Sequence, residues 1–506
     1  PVDGIFFDIC FDQPSCSKWA IDKMTARGFD PADPDDRRRF ARLTTHEYMA
    51  RFNRLVDEAQ ARAGGKPAGI WYNSRPKTNL HEERKFLRHV EIECLPTGGW
   101  GYAYFPYVSR FVRPLGLPTL SHTGRFHRSW GDFGGLKPEA ALKYECSLIL
   151  SQGLTNGVGD QLHPRGRLDK ATYELIGRVY SHIKACEPWV AGGEVQDDIA
   201  VIIDPSLGDR PGKDALGLVR ALQELKQQFA LLTAVDDFSK YELVIVPEST
   251  PVTAELKAKL KAHLDAGRAL LLSGRAAVDE NGQPILPELG IETHGPSPYT
   301  TTYLRVEQDI AAGIPDFDHV VYERGFRMTP AAGARSLCTI VEPYFERSYR
   351  HFCSHAQTPP AGPSPYSAIV QNGRAITFSF PVFTVYGKFG NKPLRQILGN
   401  CIDRLLPNPL VRAGGPALLE TSVIKKGDTT VVHLISFAPV RKVENLDIVD
   451  DPFPLVDVPV SVRAASAPRR VYLAPENTDL KWDYRGGYVH TSVTSLGGHT
   501  MLVCEA

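Results

Sequence analysis

The chain has 506 residues, a length that is typical of about three domains. Hydrophobic residues make up 42% of the chain and charged residues 23%, which is the composition of a globular protein with a large core. Lys plus Arg and Asp plus Glu both number 58. This balance gives no indication of a partner that is bound mainly by charge, such as nucleic acid or an anionic membrane surface, and none is expected.

Neither a membrane span nor a disulfide framework is predicted. The apolar runs are shorter than the roughly 18 residues that a membrane helix needs. The nine cysteines are scattered singly, without a CxxC pair. This pattern favours free thiols in a reducing compartment over disulfides or a zinc site, so we expect a cytoplasmic protein.

The first 190 residues alternate predicted strands and helices. Helices are predicted over 138–150, with Pro138 at the first helical position, and over 171–186. The alternation favours a parallel sheet. We interpret residues 1–190 as the C-terminal part of a catalytic (β/α)8 barrel whose first three βα units are absent from this chain, and expect a further segment of roughly 150–200 residues to supply them. The five predicted strands are 2–9, 68–73, 88–94, 118–122 and 154–160.

Residues 10–43 are rich in Asp, Pro and Arg. We interpret them as a long loop above the end of the first strand, where loops often build active sites. Thr44-x-x-Glu47 fits a capping box, so the next helix is predicted to begin there and to end at Gly64-Gly65.

Two further domains are predicted. Residues 191–405 are interpreted as a flavodoxin-like α/β domain, with strands at 198–204, 243–247 and 269–274 and helices at 216–229 and 253–266. The phosphate-binding glycine pattern is missing after the first of these strands, so no nucleotide cofactor is expected. Residues 406–506 carry short strands, including a hairpin around Lys425-Lys426-Gly427-Asp428, and predict a small β-sandwich.

Polar side chains follow the ends of all five predicted barrel strands, where such barrels carry their catalytic groups. Glycoside hydrolysis needs two carboxyl groups across one bond, and Asp8 and Glu93 meet that demand. Flat aromatic faces beside hydrogen-bonding groups suit a sugar. The predicted catalytic residues are Asp8 and Glu93. The predicted substrate-binding residues are Trp71, Asn73, Arg75, Trp100, Tyr102, Arg125, His127, Trp130, Asp160, His163 and Arg165.

Several alternatives stay open at this stage. Glu91 lies on the same face of its strand as Glu93 and is interpreted as part of a structural ion pair. The arginines could equally form ion pairs at the barrel mouth, and the histidines could be hydrogen-bonded packing groups. No metal site is predicted, because neither HxH nor HExxH spacing occurs. The other candidates for the acid are Asp132, Glu145 and Asp160.

Four stretches resemble a known family. They resemble the α-L-fucosidase-like glycoside hydrolases of family 151, which are related to family 29, and the middle domain resembles a β-galactosidase-type trimerisation domain. The stretches are Val2-Asp3-Gly4-Ile5-Phe6-Phe7-Asp8-Ile9 and the segments 95–102 (LPTGGWGY), 123–135 (TGRFHRSWGDFGG) and 159–166 (GDQLHPRG).

The resemblance implies a retaining exo-glycosidase, most specifically an α-L-fucosidase, that acts on carbohydrate without a cofactor. It implies an Asp nucleophile at a strand end, matched by Asp8, whereas the acid/base role of Glu93 is our inference from position. It also implies a homo-oligomer, most specifically a trimer. Two alternatives remain: a β-galactosidase-like hydrolase, and a non-catalytic sugar-binding or scaffold protein with an incomplete barrel.

Overall fold

The computed structural model describes residues 2–208 and 212–506 and has a mixed α/β fold. In its first part, β1 pairs with β2, β3 pairs with β4, and β4 pairs with β5, all in parallel. All five predicted strands are confirmed, and in the described residues they form two sheets that do not close into a barrel. The elements are β1 (Gly4–Phe7), α1 (Lys18–Ala26), α2 (Pro34–Arg62), β2 (Gly69–Tyr72), α3 (Leu80–Glu83), β3 (Val90–Glu93), α4 (Tyr104–Val112), β4 (Thr119–Gly124), α5 (Glu139–Ser151), β5 (Thr155–Gly159), α6 (Lys170–Val190) and β6 (Glu194–Val195).

The strand β3 places its apolar and its acidic side chains on opposite faces. Val90 and Ile92 are fully buried in the main hydrophobic core, whereas Glu91 and Glu93 alternate with them and lie on the opposite face. Because side chains of a strand alternate between its two faces, one face packs on the core and the other carries both carboxylates. The helix α4 covers the apolar side, and all of its residues are buried.

The prediction of a loop over residues 10–43 is wrong. Helix α1 occupies Lys18–Ala26, and α2 already begins at Pro34, ten residues before the predicted capping box. Asp33 caps α2 by accepting a hydrogen bond from the backbone N–H of Asp35, and Pro34 takes the first helical position. The Asp-Pro-Asp-Asp run is therefore a helix start, and Thr44 lies inside the helix with its hydroxyl bonded to the Phe40 carbonyl.

The middle part contains the flavodoxin-like topology. Its parallel strands follow the order β8-β7-β9-β10-β17, which is the 2-1-3-4-5 order of that fold, and antiparallel strands extend the sheet beyond β17. The strand β8 lies at the end of the segment predicted as one helix over 216–229. The elements are β7 (Ile199–Ile202), α7 (Lys213–Glu224), β8 (Phe229–Leu232), β9 (Leu243–Val246), α8 (Ala254–Asp265), β10 (Ala269–Ser273), β11 (Ile291–Pro296), β12 (Thr302–Val306), β13 (His319–Val321), β14 (Phe326–Pro330), β15 (Arg335–Pro343), β16 (Pro360–Asn372), β17 (Ala375–Phe378), α9 (Val382–Phe389) and α10 (Lys392–Leu405).

The last part is a β-sandwich, as predicted. Strands β19 and β20 form the expected hairpin, and residues of its two larger sheets share one apolar core. The short strand β6 pairs with β19, so residues 194–195 extend the C-terminal sheet. The elements are β18 (Val411–Ala413), β19 (Leu419–Lys426), β20 (Thr429–Ser436), β21 (Val440–Val443), β22 (Leu446–Ile448), β23 (Pro454–Arg463), β24 (Arg470–Ala474), β25 (Thr478–Asp479), β26 (Trp482–Arg485), β27 (Tyr488–Gly497) and β28 (His499–Glu505).

Two predictions about the chemistry of the chain can be compared with the structure. All nine cysteines carry free thiols, as the sequence indicated. Among the described residues, no helix has both the length and the apolar character that would let it cross a membrane.

Candidate active site

Three polar side chains meet at the C-terminal ends of β1, β2 and β3. The Asn73 side-chain amide donates a hydrogen bond to Asp8 Oδ1 at 2.9 Å and another to Glu93 Oε2 at 3.3 Å. The backbone N–H of Ile9 donates a second bond to Asp8 Oδ1 at 2.9 Å. The structure therefore brings together the two predicted catalytic carboxyls and one predicted substrate-binding residue.

The shared amide holds the two carboxyl groups on either side of one nitrogen. In ideal geometry the two N–H bonds of a planar amide diverge by about 120°, which corresponds to acceptor oxygens about 5–6 Å apart. Asp8 is exposed and Glu93 half-buried, so both can be reached from solvent.

The backbone turns sharply directly after both strand ends. Ile9 has a φ of 54° and Ser74 a φ of 64°, in the left-handed region that residues other than glycine rarely adopt. For a β-branched residue such as Ile9 this conformation costs on the order of 1–3 kcal/mol. The turns are held by backbone bonds between Asn73 and both Phe7 and Cys10, and they fix where Asp8 and Asn73 point.

A histidine and a second glutamate lie beside the pair. His122 lies opposite Glu93 in the register of β3 and β4, and its Nδ1 is 3.8 Å from Glu91 Oε2. Burial lowers the pKa of His122, although the charges of Glu93 and Glu91 oppose this shift. A neutral imidazole there can hydrogen-bond a sugar hydroxyl as donor or acceptor. Glu91 also bonds His89 at 2.9 Å, as expected for a structural group.

Trp71 and Arg75 lie under the site and are buried. Arg75 is 1% exposed, and its guanidinium bonds the carboxylates of Glu83 and Asp12 and the Cys10 carbonyl. It therefore ties the loop after Asp8 to β2. Trp71 is fully buried, and the Lys77 ammonium lies over its ring at 5.2 Å. Both residues support the site from beneath, which differs from the substrate contact predicted for them.

The prediction missed Lys77. Its side chain is buried, it donates to the Arg75 carbonyl, and its positive charge is among the influences that lower the pKa of His122. It lies in a short 3-10 helix after β2, and its neighbours in the sequence gave no pattern that would mark it as functional.

The alternative acids Glu145 and Asp160 are held by other partners. The buried Glu145 carboxylate bonds the Lys137 ammonium at 2.6 Å and accepts hydrogen bonds from Tyr102 and Thr123. Asp160 Oδ1 bonds Arg125 Nε at 2.8 Å. The Arg125 side chain also donates to the carbonyls of Asp132 and Gly135, so it braces the loop after β4.

The buried Lys137–Glu145 pair leads to a stability prediction. Replacing Lys137 by Met leaves an unpaired buried carboxylate, so we expect the free energy of unfolding to fall by about 3–5 kcal/mol. Urea unfolding measures the change, and adding Glu145→Gln in the same chain should restore much of it. A loss below about 1 kcal/mol would contradict the assignment of Glu145 as a structural ion-pair partner.

The loops after β4 and β5 form an exposed rim. Trp130 is 41% exposed and donates a hydrogen bond from its indole N–H to Gln161. A Cβ on Gly159 would lie 2.4 Å from the Trp130 ring, so only glycine lets the indole approach the strand end this closely. His163 and Arg165 are exposed and His127 is half-buried. This rim offers an aromatic face, two imidazoles and one guanidinium group to a ligand.

Trp100 and Tyr102 face another part of the molecule. They line a cavity of 620 Å³ between the three parts of the chain, together with Arg220, Glu420 and Arg441. Tyr102 donates to Glu145, and burial raises the pKa of Tyr102, with the charge of Glu145 adding to this effect. Asp8 and Glu93 do not line this cavity. The structure therefore separates these two predicted sugar contacts from the carboxylate pair.

The comparisons with known proteins identify the family. The chain is 32% identical to the α-L-fucosidase isoenzyme 2 from Paenibacillus thiaminolyticus, with a TM-score of 0.94 over 99% of this chain and 77% of that one. The chain belongs to the α-L-fucosidase-like glycoside hydrolases. The resemblance inferred from the four sequence stretches is thus confirmed at the level of the fucosidase-like family. No protein-family model and no curated protein matches the chain.

Two β-galactosidase structures at lower identity share the fold with this fucosidase-like hydrolase. The β-galactosidase from Rahnella sp. R3 is 14% identical, with a TM-score of 0.61 over 92% of this chain and 67% of that one. The β-galactosidase from Bacillus circulans sp. alkalophilus is 12% identical, with a TM-score of 0.63 over 93% of this chain and 67% of that one. The fucosidase-like chain is a glycoside hydrolase, so the non-catalytic alternative is set aside.

Proposed function

We propose that this glycoside hydrolase is a retaining exo-α-L-fucosidase with Asp8 as nucleophile and Glu93 as acid/base. The observation that carries the proposal is the Asn73 amide, which bonds both carboxyl groups. Ideal amide geometry corresponds to acceptor oxygens about 5–6 Å apart. Retaining glycosidases place their two carboxyl groups about 5–5.5 Å apart, whereas inverting enzymes need about 6.5–9.5 Å to admit a water.

In the first step, Asp8 attacks the anomeric carbon and the bond to the leaving oxygen breaks. Oδ1 of Asp8 already accepts two hydrogen bonds, so we assign the attack to Oδ2. Glu93 gives its proton to the leaving oxygen and becomes a carboxylate. In the second step that carboxylate removes a proton from water, whose oxygen attacks the anomeric carbon and releases Asp8. The sugar leaves with the configuration that it had in the substrate.

The proposed barrel would place the catalytic residues at its mouth. We infer that the two parallel sheets of β1 to β5 belong to a (β/α)8 barrel, in which the ends of these strands form the mouth. Trp130 and the rim histidines would then contact the substrate from the β4 and β5 side. Fucose is proposed because the fucosidase shares 32% identity with the chain, whereas the β-galactosidases share its fold at 12–14%.

Two measurements test the proposal. A panel of nitrophenyl glycosides should give turnover with the α-L-fucoside well above that with the β-D-galactoside, and NMR of the first product formed should show α-L-fucose. An inverted product would overturn the retaining mechanism. Turnover confined to the β-galactoside would replace the sugar assignment and leave the carboxylate pair intact.

The two hydrogen bonds from the Asn73 amide to Asp8 and Glu93, called the Asn73 bridge below, can be tested separately. Asn73→Ala removes both hydrogen bonds and frees the carboxyl groups to rotate, so we expect kcat/KM to fall by up to about 10²-fold. The matched control is Asn79→Ala, which removes a half-buried amide six residues further along and should keep near-normal activity. Equal activity of Asn73→Ala and the unaltered chain would show that the bridge does not organise the pair.

We further propose that the protein is a closed homo-oligomer, specifically a trimer. The segment 344–352 of the middle part exposes Tyr344, Tyr349 and Phe352 by 65%, 86% and 73%, and large aromatic groups are enriched in protein interfaces. Light scattering should give three times the chain mass, and Tyr349→Ser with Phe352→Ser should lower it. Phe317→Ser, at another aromatic side chain that is 70% exposed, is the control. A single-chain mass at every concentration would refute the proposal.

A further inference from the structure

A buried cluster of histidine and cysteine lies where α6 packs on the C-terminal β-sandwich. His182 and Cys186 are one turn apart on α6, and His499 lies on β28. The nitrogen and sulfur atoms that could bind an ion all lie within 4.8 Å of one another. Cys186 and His499 are buried and His182 is half-buried, so one side of the cluster is open to an entering ion.

The distances approach those of a tetrahedral site. A zinc ion with nitrogen ligands at about 2.0–2.1 Å and a sulfur ligand at about 2.3 Å needs N···N near 3.3 Å and N···S near 3.6 Å. His182 Nε2 lies 2.9 Å from His499 Nδ1 and 3.8 Å from Cys186 Sγ. The third distance, from Cys186 Sγ to His499 Nδ1, is at most 4.8 Å, so side-chain shifts of about an ångström bring all three ligands to the coordination geometry.

We propose that His182, Cys186 and His499 bind a zinc ion that links the catalytic part of the chain to its C-terminal β-sandwich. Imidazole nitrogen and thiolate sulfur are the donor atoms that zinc prefers, and three protein ligands leave a fourth position for water. The site binds α6 to β28, so the ion stabilises the contact between the two parts.

His433 on β20 provides the outer support that a metal-bound histidine needs. Its Nδ1 lies 2.9 Å from His499 Nε2, and the two rings stack at 5.2 Å. When His499 binds the ion through Nδ1, its Nε2–H donates a hydrogen bond to His433 Nδ1. This bond fixes both the tautomer and the ring orientation of His499.

Metal titration of the intact chain tests the site. After chelator treatment, zinc should bind in one equivalent and raise the melting temperature. Cobalt, used as a spectroscopic substitute, should show a thiolate-to-metal charge-transfer band. Cys186→Ser should abolish that band and weaken zinc binding by about 100-fold or more, since loss of outer-shell support alone weakens binding about 10–100-fold.

The matched control is Cys146→Ser. Cys146 lies on α5 in the same apolar cluster and is as fully buried as Cys186, so both substitutions disturb the core alike. The control should keep the cobalt band. His433→Leu should also keep the band, but it should bind the metal about 10–100-fold more weakly. Absence of zinc binding at micromolar concentration, or a cobalt band that survives Cys186→Ser, would overturn the proposal. A thermal shift that is equal in both cysteine variants would also do so.

Discussion

Asp8→Asn is expected to reduce turnover of an aryl α-L-fucoside by at least about 10⁴-fold, with little change in substrate affinity. The amide has nearly the shape of the carboxylate but cannot attack the anomeric carbon. Because Asp8 is exposed at the end of β1, the substitution leaves the core unchanged. Steady-state kinetics give kcat, and equilibrium binding of fucose gives the affinity.

Asp8→Gly with added azide identifies the role more sharply. Azide can enter the space that the lost carboxylate leaves and attack from the same side, so the product should be a fucosyl azide of inverted configuration. The control is Asp3→Asn, an exposed carboxylate just before the same strand, which should keep full activity. If Asp8→Asn retained more than about a tenth of the activity, Asp8 could not be the nucleophile.

The convergence of Asp8, Asn73 and Glu93 could be predicted because it depends only on strand direction. Asp8 and Asn73 follow short apolar runs, and Glu93 ends a strand in which apolar and acidic residues alternate. Parallel strands of a barrel end on the same side. The Asn73 bridge itself could not be predicted. It depends on the positive φ angles of Ile9 and Ser74, and neither residue is a type that signals such a conformation.

The positions of Trp100 and Tyr102, two predicted sugar contacts, depend on residues that are distant in the sequence. Trp100 and Tyr102 lie in the loop after β3, and the direction of that loop is set by contacts far along the chain. Tyr102 bonds Glu145, 43 residues away, and the same cavity is closed by Glu420 from the C-terminal part. Proximity to a strand end in sequence says nothing about such contacts, so these side chains could not be placed from the sequence.

The helix α2 was missed for a local reason. The acidic run at residues 30–36 was interpreted from its composition, which is common in loops. The order of its residues contains an N-cap aspartate, a proline at the first helical position and two acidic side chains in the first turn. These features together favour a helix start, because the carboxylates interact with the unpaired N–H groups there.

Glu93→Gln is expected to have an effect that depends on the leaving group. Substrates with a poor leaving group need the proton of Glu93, so kcat/KM for a fucosyl disaccharide should fall by about 10²–10⁴-fold. An aryl fucoside with a good leaving group needs no proton, so its kcat/KM should change little. Its kcat should fall, because the second step loses its base and the fucosyl-enzyme intermediate accumulates.

Azide distinguishes the acid/base from the nucleophile. In Glu93→Gln it should react with the fucosyl-enzyme intermediate and give a fucosyl azide of retained configuration. Glu91→Gln is the matched control: Glu91 lies on the same face of β3, two residues earlier, and bonds His89. Loss of activity that is independent of the leaving group and not rescued by azide would remove Glu93 from the acid/base role. Asp132 would then be the next acid to test, since Glu145 and Asp160 are already held by Lys137 and Arg125.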